Sequence, residues 1–144
     1  MADRLVSAAR TAAETNLSAK GAYELIAASG EAKATIFASG TEVGVAVAAQ
    51  KLLEAEGVPT RVVSTPCWEL FEQQSAAYQA KVIGKGTVRV AVEAGVRQGW
   101  DRFIGETGGF VGMSSFGASA PYQTLYEKFG ITPQGVVAAV KARL

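Results

Sequence analysis

The 144-residue sequence contains no histidine, one cysteine (Cys67), two aspartates and one asparagine. Without histidine and with a single thiol, the chain cannot build a Ser-His-Asp or Cys-His nucleophile, a histidine zinc site or an internal disulfide. No stretch approaches the roughly 20 apolar residues that span a bilayer. Fourteen basic against thirteen acidic residues give no basic excess of the kind that nucleic-acid-binding domains show. We therefore expect a cytoplasmic protein that binds neither membrane nor nucleic acid.

Hydrophobic patterning predicts alternating strands and helices. The predicted strands are 21–26, 34–38, 60–65 and 87–92. The predicted helices are 40–56, 75–83 and 120–129, with a last helix that begins at Pro133. This order indicates an α/β fold of three layers, in which a mostly parallel sheet lies between helices on both of its faces.

The helix that follows the second strand carries the most detailed expectations. Ser39 and Glu42 have the spacing of a capping box, so Ser39 is the predicted N-cap. The apolar residues expected to face the core, because they recur at i, i+3, i+4 and i+7, are Val45, Ala48, Ala49 and Leu52.

The last two helices are predicted from similar signals. Ser119 is the expected N-cap of the helix at 120–129. Thr132, followed by Pro133, is the expected N-cap of the last helix. Ile131 and Val136 have the spacing of a hydrophobic staple across the second cap. The predicted apolar face of the helix at 120–129 consists of Tyr122, Leu125, Tyr126 and Phe129.

Two groups of residues are candidates for binding an anion. Ser39, Gly40 and Thr41 follow a strand and begin a helix, where free amide groups attract anions. An ordinary capped turn would have the same sequence. Arg97 and Arg102 are candidate phosphate contacts, and ion pairs with Glu93, Asp101 or Glu106 are the alternative use of these two side chains.

The segment 88–121 combines glycines with aromatic and apolar residues, and it contains a candidate interface. Phe110, Met113 and Phe116 lie on a glycine-rich backbone, and only some of such side chains can enter a core that the strands already fill. Exposed apolar patches generally mark interaction sites. We expect these three residues to contact a neighbouring domain or subunit.

Four blocks of sequence resemble the C-terminal domain of transketolase. They are STPCWELFEQQ (64–74), EAGVRQGWDRFIG (93–105), FVG (110–112) and FGASAP (116–121). The resemblance is collinear and covers about residues 16–144. It implies a tail or interdomain linker at 1–17 and a domain at 18–144. It also implies a five-stranded mixed sheet in which the strand at 21–26 is the antiparallel edge.

The resemblance further implies a parent enzyme of the pentose phosphate pathway, which transfers two-carbon ketol units between sugar phosphates. That enzyme uses thiamine diphosphate and a divalent metal, magnesium or calcium. The GDG motif and asparagine pair that hold this cofactor in the family are missing from the sequence. We therefore expect a C-terminal domain, as a fragment or a truncated form, with no catalytic, cofactor-binding or metal-binding residue. Its expected role is structural and dimer-supporting, and its expected partners are the preceding catalytic domains and a second subunit.

The sequence is also compatible with two other functions. The chain is alternatively a free-standing module that binds a small anion or a nucleotide, which a ligand at the Ser39 turn would favour. The second alternative is the equivalent domain of another thiamine diphosphate enzyme.

Overall fold

The computed structural model describes residues 15–144. The five strands in this part of the chain are β1 (Tyr23–Ile26), β2 (Ala34–Ala38), β3 (Thr60–Ser64), β4 (Val88–Val92) and β5 (Gly109–Val111). Its six α-helices are α1 (Glu42–Ala55), α2 (Trp68–Glu72), α3 (Ala76–Ile83), α4 (Asp101–Ile104), α5 (Tyr122–Phe129) and α6 (Pro133–Lys141). A 3₁₀ turn, Leu17–Lys20, precedes β1.

None of the helices within residues 15–144 has the length and apolar character that crossing a membrane requires. Most of the predicted tail at 1–17 lies outside the described residues, so its proposed boundary with the domain stays a prediction.

The strands form one mixed sheet in the order β1-β3-β2-β4-β5. β1 runs antiparallel to β3, and the other neighbouring strands are parallel. The predicted α/β architecture and the antiparallel edge strand are therefore confirmed. The sequence does not reveal β5, because its three residues are too few to show a strand period.

Side-chain alternation along the central strands builds a core on each face of the sheet. Ile36 and Val62 pack with α1 and α6 on one face. Phe37 and Val63, each one residue further on, pack with α2, α3 and α4 on the other. Successive residues of a strand point to opposite faces, so parallel strands covered on both sides need apolar residues at nearly every position. The continuous apolar runs in the sequence meet this need.

The second core is aromatic, and Phe103 of α4 lies at its centre. Its ring centroid is 5.5 Å from that of Phe71, 5.6 Å from Phe37, 5.7 Å from Trp68 and 5.9 Å from Trp100. We call these five residues the Phe103 cluster. It joins α2, α4 and β2. The sequence blocks at 64–74 and 93–105 therefore pack together in one aromatic cluster.

The prediction of which residues of α1 face the core is partly wrong. Ala49 is buried as expected, but Leu52 is 40% exposed, and Leu53 is fully buried in its place. The helix contains apolar residues almost all the way round between positions 43 and 49, so its periodicity does not fix which side meets the sheet. Thr41, and not Ser39, is the N-cap, and it makes no side-chain capping bond. The capping-box prediction is therefore wrong.

The N-cap of α5 differs from the predicted residue, whereas the N-cap of α6 is the predicted one. Pro121, not Ser119, is the N-cap of α5, because the chain stays extended through the proline and turns into the helix only after it. No residue of α5 is buried, so its predicted apolar face covers the core only partly. Thr132 caps α6 as predicted: its Oγ1 accepts a hydrogen bond of 3.0 Å from the backbone N–H of Gly135.

Candidate functional site

The strand order reverses between β2 and β4. From β2 the chain crosses through α1 to β3 on one side, while β4 adds to the other side of β2. In open α/β sheets such a reversal of strand order leaves a crevice at the carboxyl ends of the strands, where ligands bind. Ser39 and Glu93 directly follow β2 and β4 at this point.

Polar side chains from four parts of the fold meet at this reversal of strand order. Ser39 Oγ donates a hydrogen bond of 2.8 Å to Glu93 Oε2. Glu42 Oε1, at the first position of α1, accepts one of 2.9 Å from Thr41 Oγ1 and another from the hydroxyl of Tyr126 on α5. We call these five residues the switch-point cluster. The Tyr126 bond ties α5, which has no buried residue of its own, to the carboxyl edge of the sheet.

The cluster places two carboxyl groups in a partly buried site. Burial raises the pKa of Glu93, and the negative charge of neighbouring Glu42 raises it further, while the bond from Ser39 acts in the opposite direction. Burial also raises the pKa of Tyr126, and its bond to Glu42 adds to this effect. Both changes favour the protonated forms of these two groups.

Replacing Glu93 with glutamine is expected to stabilise the domain at neutral pH and to change little at acidic pH. The folded-state pKa of Glu93 lies above its unfolded value. Its contribution to stability is therefore present below the ordinary glutamate range and is lost as the pH rises through the folded-state pKa. Glutamine keeps a neutral group in place throughout.

Urea unfolding between about pH 4 and pH 8 measures this effect as a gap between the two proteins that widens with pH. Glu127→Gln is the control, because it makes the same change in net charge at an exposed position of α5. A gap that stays constant or narrows toward high pH would show that Glu93 has no raised pKa.

The predicted anion site lies within this arrangement. Ser39 and Gly40 line a cleft of about 280 Å³ at the carboxyl edge, and Thr41 precedes α1. Glu42 and Glu93 are held against the same turn, and their negative charges oppose the binding of an anion. Anion binding at Ser39, Gly40 and Thr41 thus stays a prediction that the local charges do not favour.

Arg97 and Arg102 both make ion pairs. Arg97 Nη2 lies 2.7 Å from Asp101 Oδ1, and this is one of the ion pairs that the sequence suggests. Its guanidinium also donates to the carbonyl oxygens of Gly105 and Gly108, at 3.1 Å each. Arg97 therefore fastens the turn that leads into β5. That these two arginines contact a phosphate stays a prediction.

Arg102 is bound on the outside of the Phe103 cluster. It pairs with Glu72 of α2, a partner that the sequence did not suggest, and its guanidinium lies 4.9 Å from the ring centre of Trp68. The ion pair and the stacked cation connect α4 to α2 across the protein surface.

The three candidate interface residues differ in exposure. Phe110 packs against the aromatic core and Met113 against the other core, so both are half-buried. Phe116 is 98% exposed, in a segment where every residue from 114 to 124 is exposed. We call residues 114–124 the Phe116 segment.

Neither a metal-ligand cluster nor an activated cysteine is found in the described part of the chain. Among residues 15–144, no group of three or more His, Cys, Asp or Glu side chains is placed to hold a metal ion. Cys67 is half-buried, and its Sγ lies 3.5 Å from Glu69 Oε2. That neighbouring carboxylate does not favour a reactive thiolate.

Comparison with known families decides the relationship of this chain. The family model for the transketolase-like TK C-terminal domain matches residues 21–132. The chain belongs to this family. The transketolase of Rhodobacter capsulatus is 53% identical over 135 residues, which cover 90% of this chain and 20% of that protein.

Solved structures agree with the sequence relatives. Transketolase from Leishmania mexicana superposes with a TM-score of 0.79 at 43% identity, covering 87% of this chain and 18% of that one. A structure described as a split gene transketolase, inactive beta4 tetramer, superposes with a TM-score of 0.64 at 27% identity. It covers 84% of this chain and 41% of that one. The chain thus spans about a fifth of the length of the curated transketolase it matches.

The transketolase blocks in this sequence have distinct positions in the fold. STPCWELFEQQ forms the end of β3 and α2, and EAGVRQGWDRFIG leads into α4. Together they supply four of the five members of the Phe103 cluster. FGASAP forms the middle of the Phe116 segment, outside both cores. Two blocks therefore serve packing, FVG forms the end of β5 and the residue after it, and FGASAP lies on the surface.

Proposed function

We propose that this C-terminal domain serves a transketolase by docking its catalytic domains and a second subunit, and that it carries none of the groups that transfer the two-carbon ketol unit. The observation that carries this proposal is the exposure of Phe116, a phenylalanine of the FGASAP block. A large apolar side chain at this degree of exposure contributes nothing to the core. Its place in a sequence block typical of the family is therefore best explained by a contact outside the domain.

The surroundings of Phe116 support a docking surface. Tyr122, at the start of α5, is 65% exposed, so two aromatic side chains of the Phe116 segment are open to a partner. The formal net charge of +1 offers little electrostatic repulsion between copies. The split gene transketolase, described as a beta4 tetramer, shows a chain of this family that self-associates. We infer that the Phe116 segment makes this chain self-associate.

We further infer that thiamine diphosphate and its magnesium or calcium ion bind to the other domains of the parent enzyme. The paired carboxylates here, Glu42 and Glu93, already accept hydrogen bonds from Thr41, Tyr126 and Ser39. Their charge would also repel a diphosphate. The switch-point cluster therefore does not fit the cofactor. The description of the split gene transketolase as inactive is consistent with a domain that has no activity alone.

Sedimentation velocity over a wide range of concentrations tests the docking role. We expect dimers that dissociate on dilution, and we expect Phe116→Ser to weaken them by removing apolar surface from the contact. Leu52→Ser is the matched control, because Leu52 is a partly exposed apolar residue on α1, away from the Phe116 segment. A chain that stays monomeric at about 1 mM, with or without Phe116→Ser, would contradict the proposal.

The same samples test the assignment of the cofactor to the other domains. Titration with thiamine diphosphate and magnesium, followed by calorimetry, is expected to give no saturable heat. A heat that saturates at micromolar cofactor would place a binding site in this domain, and would leave the result on self-association unaffected.

A further inference from the structure

A second cleft lies at the amino-terminal edge of the sheet, opposite the switch-point cluster. It has a volume of about 510 Å³. The start of β4 forms one wall, the turn that leads into β5 forms another, and Arg143 closes it from the end of the chain. We call it the amino-edge cleft. Neither the transketolase relationship nor the docking role requires a site here.

The distribution of arginines sets this cleft apart. Residues 15–144 contain five arginines, and Arg61, Arg97 and Arg102 each pair with a carboxylate. Among the described residues, Arg89 and Arg143 have no such pair, and both line the amino-edge cleft. None of the residues that line this cleft is acidic. Two arginines therefore line one cavity whose wall contains no carboxylate.

Both guanidinium groups are held in position by backbone oxygens. Arg89 Nη2 donates a hydrogen bond of 2.6 Å to Gly84 O. Arg143 Nη1 donates one of 2.9 Å to Ala139 O, and its Nε donates one of 3.3 Å to Thr107 O. A guanidinium has five N–H donors, so each group keeps donors for a ligand. Because the side chains are fixed beforehand, a ligand that binds them need not order them.

The backbone around the cleft leaves room for a ligand. Gly86 and Gly105 both line it, and a methyl group added at either position would meet no atom within 4 Å. Gly109 allows the arginine to approach: an added methyl group there would lie 3.0 Å from the guanidinium carbon of Arg143. Small residues thus keep the cleft open on one side and let Arg143 pack closely against β5 on the other.

We propose that the amino-edge cleft binds a phosphate dianion, either inorganic phosphate or the phosphate group of a small monoester. Planar guanidinium groups donate paired hydrogen bonds to phosphate oxygens, and this geometry makes arginine the common phosphate-binding residue. The volume of the cleft exceeds what a phosphate ion alone fills, which favours the ester. Glu31 lines a neighbouring cleft that shares Gly86 and Val88, so the ester's organic part has a polar surface beside it.

The test is an NMR titration of the full 144-residue chain with inorganic phosphate and with methyl phosphate, at constant ionic strength. We expect saturable shifts of the backbone amides at 86–89 and 105–108 and of the arginine Nε–H groups, with a dissociation constant of about 1 mM. Arg143→Gln should weaken binding about tenfold, as the loss of a charge-assisted hydrogen bond does. Arg143 is exposed near the end of the chain, so this variant is expected to fold.

Arg89→Gln is the second variant, and Lys51→Gln, at an exposed position of α1, is the control with the same change of charge outside the cleft. Unchanged affinity in Arg143→Gln and in folded Arg89→Gln would overturn the proposal. So would shifts that do not saturate, or weakening by Lys51→Gln alone. Shifts that are largest at 39–41 would also overturn it, in favour of the carboxyl edge. Tighter binding of methyl phosphate would support the ester as ligand, and equal binding would support the phosphate group itself.

Discussion

Replacing Phe103 with alanine is expected to lower the free energy of unfolding by about 4 kcal/mol. Phe103 is fully buried, and its ring contacts four other aromatic rings in the Phe103 cluster. The substitution removes the apolar area of the ring and leaves a cavity that the neighbouring rings fill only in part. Since a domain of this kind is stable by about 5–15 kcal/mol, the loss is a large fraction of the total.

Urea unfolding measures this loss, and Phe116→Ala is the matched control. It makes the same chemical change at a residue that is 98% exposed, so its effect is expected to stay within about 0.5 kcal/mol. The control is run at low protein concentration, where self-association does not contribute. Similar midpoints for the two variants would show that Phe103 does not hold the aromatic core together.

Replacing Gly21 with alanine is expected to destabilise the domain by about 2–5 kcal/mol. Gly21 has a φ of +81°, and an added methyl group would overlap the backbone nitrogen of Phe71 and the carbonyl oxygen of Cys67. These are backbone atoms at the start of α2, and they cannot rotate away as a side chain does. Gly21 O also accepts a hydrogen bond of 3.0 Å from Cys67 N, so relief of the overlap would strain this bond.

Gly57→Ala separates the two causes of this loss. Gly57 has a φ of +78°, but an added methyl group would meet no atom within 4 Å. It therefore measures the strain of the left-handed backbone alone, about 1–2 kcal/mol. If Gly21→Ala cost no more than Gly57→Ala in thermal or urea unfolding, close packing of the turn before β1 against α2 would not be the reason for glycine at position 21.

The elements that could be predicted from the sequence are those whose signal is local. The run Ala34–Ala38 is buried at every position, and a continuous apolar run is what a parallel strand with both faces covered requires. Thr132 caps α6 because its hydroxyl reaches an amide three residues later, and the sequence contains all of that information. Which side of α1 faces the sheet depends on the rest of the core, so the local pattern of apolar residues does not determine it.

The sites could not be predicted because their members are distant in the sequence. Ser39 and Glu93 meet only because β2 and β4 are neighbours in the sheet. Both follow predicted strands directly, and this shared position was the signal that could have paired them. Arg89 and Arg143 have no such signal, since Arg143 reaches its cleft only after α6 packs against the sheet.

The two outer strands of the sheet determine how copies of this domain can meet. β1 has four residues, with an irregular register between Glu24 and Ile26, and β5 has three residues and begins at Gly109. Short or irregular edge strands offer few aligned backbone N–H and C=O groups. Another strand that paired with them would therefore form few hydrogen bonds. Concentrated samples should therefore form small, discrete assemblies through side-chain contacts, and the sheet should not grow into fibrils.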